Sequence, residues 1–245
     1  MTDIILSYFP KEYDIYIEGF GGGASILFAK EPKGVEIYND LGSNVYSLFK
    51  VLSNTEYFIR LKRRMDVTPY SARLREEFKE KLREKDLNIL DRAYYFLCVN
   101  RMSFNGVGGF SNSGNVVRRG MSKSVSDYLS MIDKLPQIHE RLSRVIIENR
   151  NIFEILDKCD RPNVFMYLDP PYVHSTRLSS QTYEIEMDDE EHIRLVDRLN
   201  RCRCKVLLSG YDNEIYRGLS TKFEKIDFAS PNAKSSAVES LWKNY

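Results

Sequence analysis

The 245-residue sequence predicts an α/β protein, a sheet domain interrupted by a helical insertion. Three observations predict it. Short apolar runs of strand length stand near both ends of the chain. The stretch between about 55 and 142 carries only helical periodicity. The net charge changes sign between these two parts.

In chain order, "YDIYI" (Tyr13 to Ile17) and "GVEIY" (Gly34 to Tyr38) read as strands with a helical "ASILFAK" between them, a βαβ unit. "SNVYSLFKVL" follows as a helix. In "NILDRAYYFLCVNR", Leu90, Ala93, Tyr94, Leu97 and Cys98 fall on one helical face. "NGVGGFSNSGN" is too rich in glycine and small polar residues for regular structure. Strands resume at "RVIIEN" (Arg144 to Asn149), "NVFMYL" (Asn163 to Leu168) and "KVLLSG" (Lys205 to Gly210), with the helical "DEEHIRLVDRLN" before the last. "FEKIDFAS" and "AVESLWKNY" read as two further strands. The expected division is therefore 1–54 with 143–245 for the sheet domain, and 55–142 for the insertion.

Charge sharpens the division. Thr55 to Arg150 holds 19 Lys+Arg and 12 Asp+Glu, a net +7, and the rest of the chain is −6. A basic middle within an acidic frame suits a polyanionic partner. Runs such as "REEFKEKLREKD" mix signs at helical spacing, so many of these charges belong to a solvated face. A hydrophobic fraction of 42% with 29% charged residues is that of a soluble globular chain. No apolar run nears the roughly 20 residues of a membrane span, and the start lacks a secretory signal pattern. Four cysteines and three histidines show neither disulfide nor zinc spacing. The expectation is a cytoplasmic protein with reduced cysteines and no metal.

Two motifs carry chemistry. In "YIEGFGGGAS" (Tyr16 to Ser25) a strand ends at Glu18, and glycine or alanine fills five of the next seven positions before a helix begins. Such a turn lets a ligand lie against bare backbone. The spacing fits the dinucleotide pattern poorly. Asp40, at the end of the second strand, stands where an acid accepts from ribose hydroxyls. An adenosine-bearing cofactor is expected, with Glu18, Phe20, Gly21, Gly23, Ala24, Ser25 and Asp40 around it. The second motif is "YLDPPYV" (Tyr167 to Val173), where an apolar strand breaks into Asp169, Pro170, Pro171 and Tyr172. Neither proline can donate to a sheet ladder, so pairing stops there.

A strand ending in Asp-Pro-Pro-Tyr after such a glycine loop resembles the Dam-like (D12 class) DNA adenine N6-methyltransferases. The order of cofactor loop, insertion and DPPY is the family's, and the resemblance covers nearly the whole chain. "NRMSFNG" (Asn100 to Gly106) is similar to the family's N-R-x-x-[FY]-N-G segment. "EMDDEEHIRLVDRL" with "KVLLSGYDNEIY" resembles the stretch after DPPY in phage-type members, and "AVESLW" the closing strand. The resemblance implies a Rossmann-like methyltransferase sheet, S-adenosylmethionine as cofactor, double-stranded DNA as partner, and a helical target-recognition role for 55–142. It also implies that Asp169 and the Pro170 carbonyl grip the amino group of a flipped adenine while Tyr172 stacks on the base, with Asp169 bordering the cofactor too. Arg101, Asn105, Asn112, Asn115, Arg118 and Arg119 are the expected DNA contacts. Tyr183 is a candidate pocket residue, and the implied chemistry needs neither His174 nor His192.

Three departures from the family pattern stand out. No Gly-Gly-Lys segment precedes the first strand, which implies either that the sequence is truncated at its start or that the cofactor site is incomplete. Gly19 replaces a proline, and Gly109 stands where readers of GATC place an arginine, so GATC is not expected. A DNA-binding module without cofactor affinity, or an amino-group methyltransferase with another substrate, are the alternatives.

Overall fold

The computed structural model describes residues 1–106, 108–114, 116–173, 185–228 and 239–245. The chain begins with α1 (Thr2–Ser7), β1 (Ile15–Glu18), α2 (Ser25–Ala29), β2 (Val35–Asn39), α3 (Ser43–Ser53), α4 (Thr55–Asp66), α5 (Ala72–Lys81) and α6 (Ile89–Met102). A small hairpin follows, β3 (Val117–Arg118) and β4 (Met121–Ser122), then α7 (Lys123–Leu142) and β5 (Val145–Glu148). The remainder is α8 (Ile152–Cys159), β6 (Val164–Leu168), α9 (Asp189–Asn200), β7 (Lys205–Tyr211), β8 (Glu224–Phe228) and β9 (Glu239–Lys243). Two compact units result, Met1–Gly42 with Glu148–Tyr245, and Ser43–Ile147.

The seven-stranded sheet has the order β5-β2-β1-β6-β7-β9-β8. β1 runs parallel to β2 and β6, with Glu18 opposite Tyr38 and Tyr167. β6 runs parallel to β7, with Leu168 opposite Leu208. β9 lies antiparallel between β7 and β8. Every residue of β6 is buried, as a central strand covered on both faces requires. The period-2 alternation sorts the two faces. Ile17, Val164, Met166, Leu168, Val206 and Leu208 pack with the apolar stripes of α8 and α9. On the other face Tyr16 and Phe165 join Phe9, Tyr13 and Tyr245 in an aromatic cluster, with centroids 4.6 Å apart for Phe9 and Phe165.

Local chemistry sets the helix starts. "MDDEE" builds a capping box: the Glu191 N–H donates to Asp188 Oδ1 at 2.8 Å, and the Asp188 N–H donates back to Glu191 Oε2. Asn151 caps α8 by accepting from the Phe153 N–H. Lys30, at the end of α2, is buried in an ion pair with Glu36 and lies 4.8 Å over the Tyr16 ring.

The second unit is helical apart from the hairpin and most of β5. α6 buries Leu90, Ala93, Tyr94, Leu97 and Cys98, the expected face, together with Met102. α3 belongs to this unit, so its first boundary lies at 42/43 rather than 54/55. The reason is packing, because α3 buries Phe49, Val51 and Leu52 and packs on α6, α4 and α7. Among the described residues no helix is long and apolar enough to cross a membrane, and no group of three or more His, Cys, Asp or Glu could hold a metal ion.

One buried side chain ties the strand ends of the first unit together. Asn39 Nδ2 donates to the carbonyls of Gly19 at 2.9 Å and Arg150 at 3.0 Å, and Asn39 Oδ1 accepts from the Arg150 N–H at 2.9 Å. Asn39→Ala strands all three backbone groups. The expected loss is about 1–3 kcal/mol of stability, read as a lower urea midpoint at unchanged slope.

Candidate active site

The glycine loop leaves β1 and is anchored on both sides. The Gly19 N–H donates to the Tyr167 carbonyl at 3.0 Å, a bond that a proline at this position could not make. A Cβ on Gly19 would collide with Leu168 Cδ2 at 2.5 Å, and one on Gly21 would overlap the Tyr38 ring. Those two glycines are therefore packing requirements. Gly22 and Gly23 differ, because a Cβ on either would meet no atom within 4 Å. Gly22 (φ 47°) and Ala24 (φ 53°) hold the left-handed backbone that turns the chain into α2. Tyr38 Oη donates to the Gly22 carbonyl at 2.8 Å. Asp40 Oδ2 accepts from the Gly22 N–H at 2.8 Å, and Oδ1 accepts from the Gly42 N–H at 2.7 Å. Asp40 thus braces the loop from the neighbouring strand end, and burial raises its pKa against those two donors. Phe20 packs on the α8/α9 side of the core, and Ser25 is exposed. Glu18, 2% exposed, accepts from Tyr16 Oη at 2.8 Å. Burial pushes its carboxyl up to about 8, although the Tyr16 hydroxyl and the Leu27 N–H pull the other way.

β6 ends one residue before Asp169. Asp169 is exposed to solvent, yet surrounding protein crowds its carboxyl. Desolvation by that crowding raises its carboxyl to about 6, and the nearby Glu239 adds to the rise. Ser209 Oγ donates to Asp169 Oδ1 at 2.9 Å. Tyr172 meets Tyr211, the last residue of β7, with ring centroids 4.6 Å apart. Ser209, Tyr211 and Glu239 escaped the motif reading. Their signal was weak, a serine and a tyrosine closing "KVLLSGY" and an acid opening "ESLW".

The second unit carries the other expected contacts. Its loop folds back at Ser103–Phe110, with the Phe104 N–H donating to the Gly109 carbonyl at 2.8 Å and the Ser111 N–H to the Met102 carbonyl at 2.8 Å. Arg75, buried in α5, pins it by donating from Nε to Ser103 Oγ at 2.8 Å and from Nη2 to the Gly108 carbonyl. Phe104 is left 63% exposed at the turn, and Asn105 beside it holds a left-handed φ of 50°. A cavity of about 370 Å³ brings Arg101 and Asn105 together with Asn100, Asp127 and Tyr128. β3 and β4 join through Arg119 (φ 56°) and Gly120 (φ 73°), a two-residue turn with both central residues left-handed. An arginine in that conformation is uncommon, and outliers of this kind cluster at ligand-binding sites. Arg118 Nη1 lies 2.9 Å from Asp127 Oδ1, and Lys123 Nζ lies 2.6 Å from Oδ2 of the same acid. Arg119 Nη1 donates to Ser130 Oγ. Asn112 is exposed, and nothing lies within 4 Å of where a Gly109 side chain would begin. The hairpin and Asp127 were not read from the sequence. Asn115, His174 and Tyr183 lie outside the described residues. His192 is buried under Tyr216, its Nδ1 3.0 Å from Tyr216 Oη.

Comparison with known proteins fits this arrangement. The family model described as D12 class N6 adenine-specific DNA methyltransferase matches residues 1–231. The chain is also 27% identical over 260 residues to "Type II methyltransferase M.MjaIII" of Methanocaldococcus jannaschii, covering 94% of this chain and 88% of that protein. The mostly parallel sheet is consistent with the Rossmann-like methyltransferase fold expected from the motifs.

The Glu18 carboxyl gives a pH prediction. With its pKa raised from 4.5 to about 8, the folded chain holds a proton there that the unfolded chain releases. That contribution to stability is complete below the ordinary carboxylate value and is lost as pH rises towards 8. In urea unfolding across this range, Glu18→Gln should show a smaller decline with pH than the unsubstituted protein.

Proposed function

Because the chain belongs to the D12 class N6 adenine-specific DNA methyltransferase family, we propose that it transfers the methyl group of S-adenosylmethionine to the exocyclic amine of an adenine flipped out of duplex DNA. The observation that carries this reading is Asp169, a solvent-reached carboxylate at a strand end with one oxygen tethered to Ser209. Adenine's amino nitrogen is a poor nucleophile, because its lone pair is delocalised into the ring. Asp169 Oδ2 accepts one N–H and the Pro170 carbonyl the other, which turns the lone pair out of the ring plane. Pro170 and Pro171 fix φ and hold this acceptor pair still. Tyr172, braced by Tyr211, gives the base a face to stack on. The nitrogen would take the methyl carbon from the sulfonium, whose sulfur keeps the electron pair of the broken C–S bond, and would shed one proton, for which the Asp169 carboxylate would serve as acceptor.

The glycine loop fits the cofactor. The open space over Gly22 and Gly23 adjoins Asp40, whose carboxylate would accept from ribose hydroxyls in addition to the loop N–H groups. When bound, S-adenosylmethionine supplies a methyl carbon on a positively charged sulfur. Glu18 acts from beneath the loop as a brace, since its carboxyl is enclosed. Saturable binding of labelled S-adenosylmethionine is the first check, and its absence would favour a DNA-binding module without methyl transfer.

The basic helical unit takes the DNA. Arg101 in the last turn of α6, Asn105 and Asn112 in the segment after it and Arg118 and Arg119 on the hairpin would supply cationic and amide groups, with Asn115 in the same stretch of sequence. Phe104 offers apolar surface to the gap left by a departed base. Gly109 carries no reading side chain, so base selection falls to the amides and arginines around it.

Three outcomes test this reading. Asp169→Ala should abolish transfer of labelled methyl groups to duplex DNA while leaving thermal unfolding unchanged, and Asp169→Asn should lose nearly all of it. Transfer by the unsubstituted protein needs ionised Asp169, so kcat/KM should fall as pH drops through about 6. For DNA binding, alanine at Arg118 or Arg119 should reduce the log–log salt slope by roughly one unit for each phosphate that is no longer neutralised. An arginine that reads a base would instead relax specificity at one position when replaced, at a cost of about 1–3 kcal/mol. Salt titrations on preferred and random duplexes separate the two.

A further inference from the structure

The end of β7 does more than continue the sheet. The register sets Leu168 opposite Leu208, so Ser209 stands one step beyond the last paired residue of β6, beside Asp169. Its Oγ has three polar neighbours: Asp169 Oδ1 at 2.9 Å, Tyr167 Oη at 2.9 Å and the Leu168 carbonyl at 3.3 Å. A serine hydroxyl has one proton to give. A carboxylate is a stronger acceptor than a phenol oxygen or a neutral carbonyl, so that proton goes to Asp169 Oδ1. The Tyr167 hydroxyl must then be the donor to Ser209 Oγ. The result is a directional chain, Tyr167 to Ser209 to Asp169, built across two neighbouring strands.

We propose that Ser209 is a positioning residue for methyl transfer, with Tyr167 behind it: the chain of hydroxyls fixes the Asp169 carboxylate in rotation and reserves Oδ2 for the N–H of the target amine. This rests on the reading of Asp169 as the amine acceptor given above. Among the described residues no donor approaches Oδ2. Without the tether the carboxylate turns freely about its last bond, and the two acceptors for the amine lose their fixed geometry. The hydroxyl also stabilises the charged form of Asp169. The groups that face Asp169 otherwise work against its charge or are neutral at working pH. They are Glu239 from β9, Glu18 from β1, Tyr211 from β7, Tyr167 from β6, and Tyr216 in the turn Tyr216–Gly218. Ser209 is the neighbour that lowers the Asp169 pKa, so its removal should send that pKa further up.

The experiment uses the full chain with Ser209→Ala and, as a lighter change, Tyr167→Phe. Two properties are measured in each: the pH profile of methyl transfer to duplex DNA, and the titration of the Asp169 carboxyl carbon by NMR in the free protein. Asp169→Asn assigns that signal. Ser209→Ala should lower kcat between about 10-fold and about 100-fold, as misplacement of a reacting group does. The KM for DNA and for S-adenosylmethionine should move less than about 2-fold, since neither binding surface is touched. The acid limb of kcat/KM and the NMR midpoint should both move to higher pH, and Tyr167→Phe should shift them in the same direction by less. A loss of packing alone would lower activity without moving the midpoint. Midpoints unchanged in both variants would overturn the proposal. Should Ser209→Ala fail to fold, Tyr167→Phe decides by the same midpoint. Should the unsubstituted protein transfer no methyl to DNA while the midpoint still moves, the tether stands and the reading of the substrate falls.

Discussion

The site depends on where β6 stops. Pro170 and Pro171 have no backbone N–H, so the ladder between β6 and β7 cannot run past Leu168 and Leu208. β7 continues for three residues, carried by its antiparallel pairing with β9 up to Tyr211 opposite Glu239. The difference in length exposes Asp169 at a strand end and gives it Ser209 as a neighbour, while Tyr211 comes to rest against Tyr172. A ladder that ended both strands together would leave the acid without its tether and the aromatic without its brace.

The same edge holds the glycine loop, and two carboxyls there have their pKa raised by their surroundings. Glu18 is enclosed, and its pKa rises to about 8, whereas Asp169 opens to solvent and rises only to about 6. Environment separates their roles. A neutral, hydrogen-bonded Glu18 adds no second negative charge beside Asp169 near neutral pH, so Asp169 ionises at lower pH than it would beside a charged neighbour. Asp40, with donors from Gly22 and Gly42, and Asn39, with three backbone partners, hold the loop from the β2 side. The loop is a braced turn, in which Gly19 and Gly21 serve packing and Gly22 and Gly23 leave room.

In the helical unit the loop after α6 is held from behind. Arg75 is buried and reaches two points of the loop, which leaves Phe104 and Asn105 outward. The arginine hairpin is not a free cationic arm. Arg118 and Lys123 share Asp127, and such exposed pairs are individually weak. The pairing still lowers the local field that the bare charge count suggests.

The sequence by itself determined what local rules control. Strand and helix order, the buried face of α6, the strand end before Asp169 and the glycine-rich turn after β1 are short-range patterns of two to twenty residues, and they were readable as such. The short hairpin around Arg119 was not, because neither of its strands is long enough to show alternation. The compact units divide one helix earlier than the expected 54/55, since α3 looks the same on paper whichever unit buries it. Only the tertiary structure decided the rest. Ser209 meets Asp169 across 40 residues, Arg75 meets the loop at Gly108 across 33, and Asn39 meets Arg150 across 111. Contacts of that span are set by strand register and helix packing, and no periodicity in the chain encodes which strand ends will lie side by side.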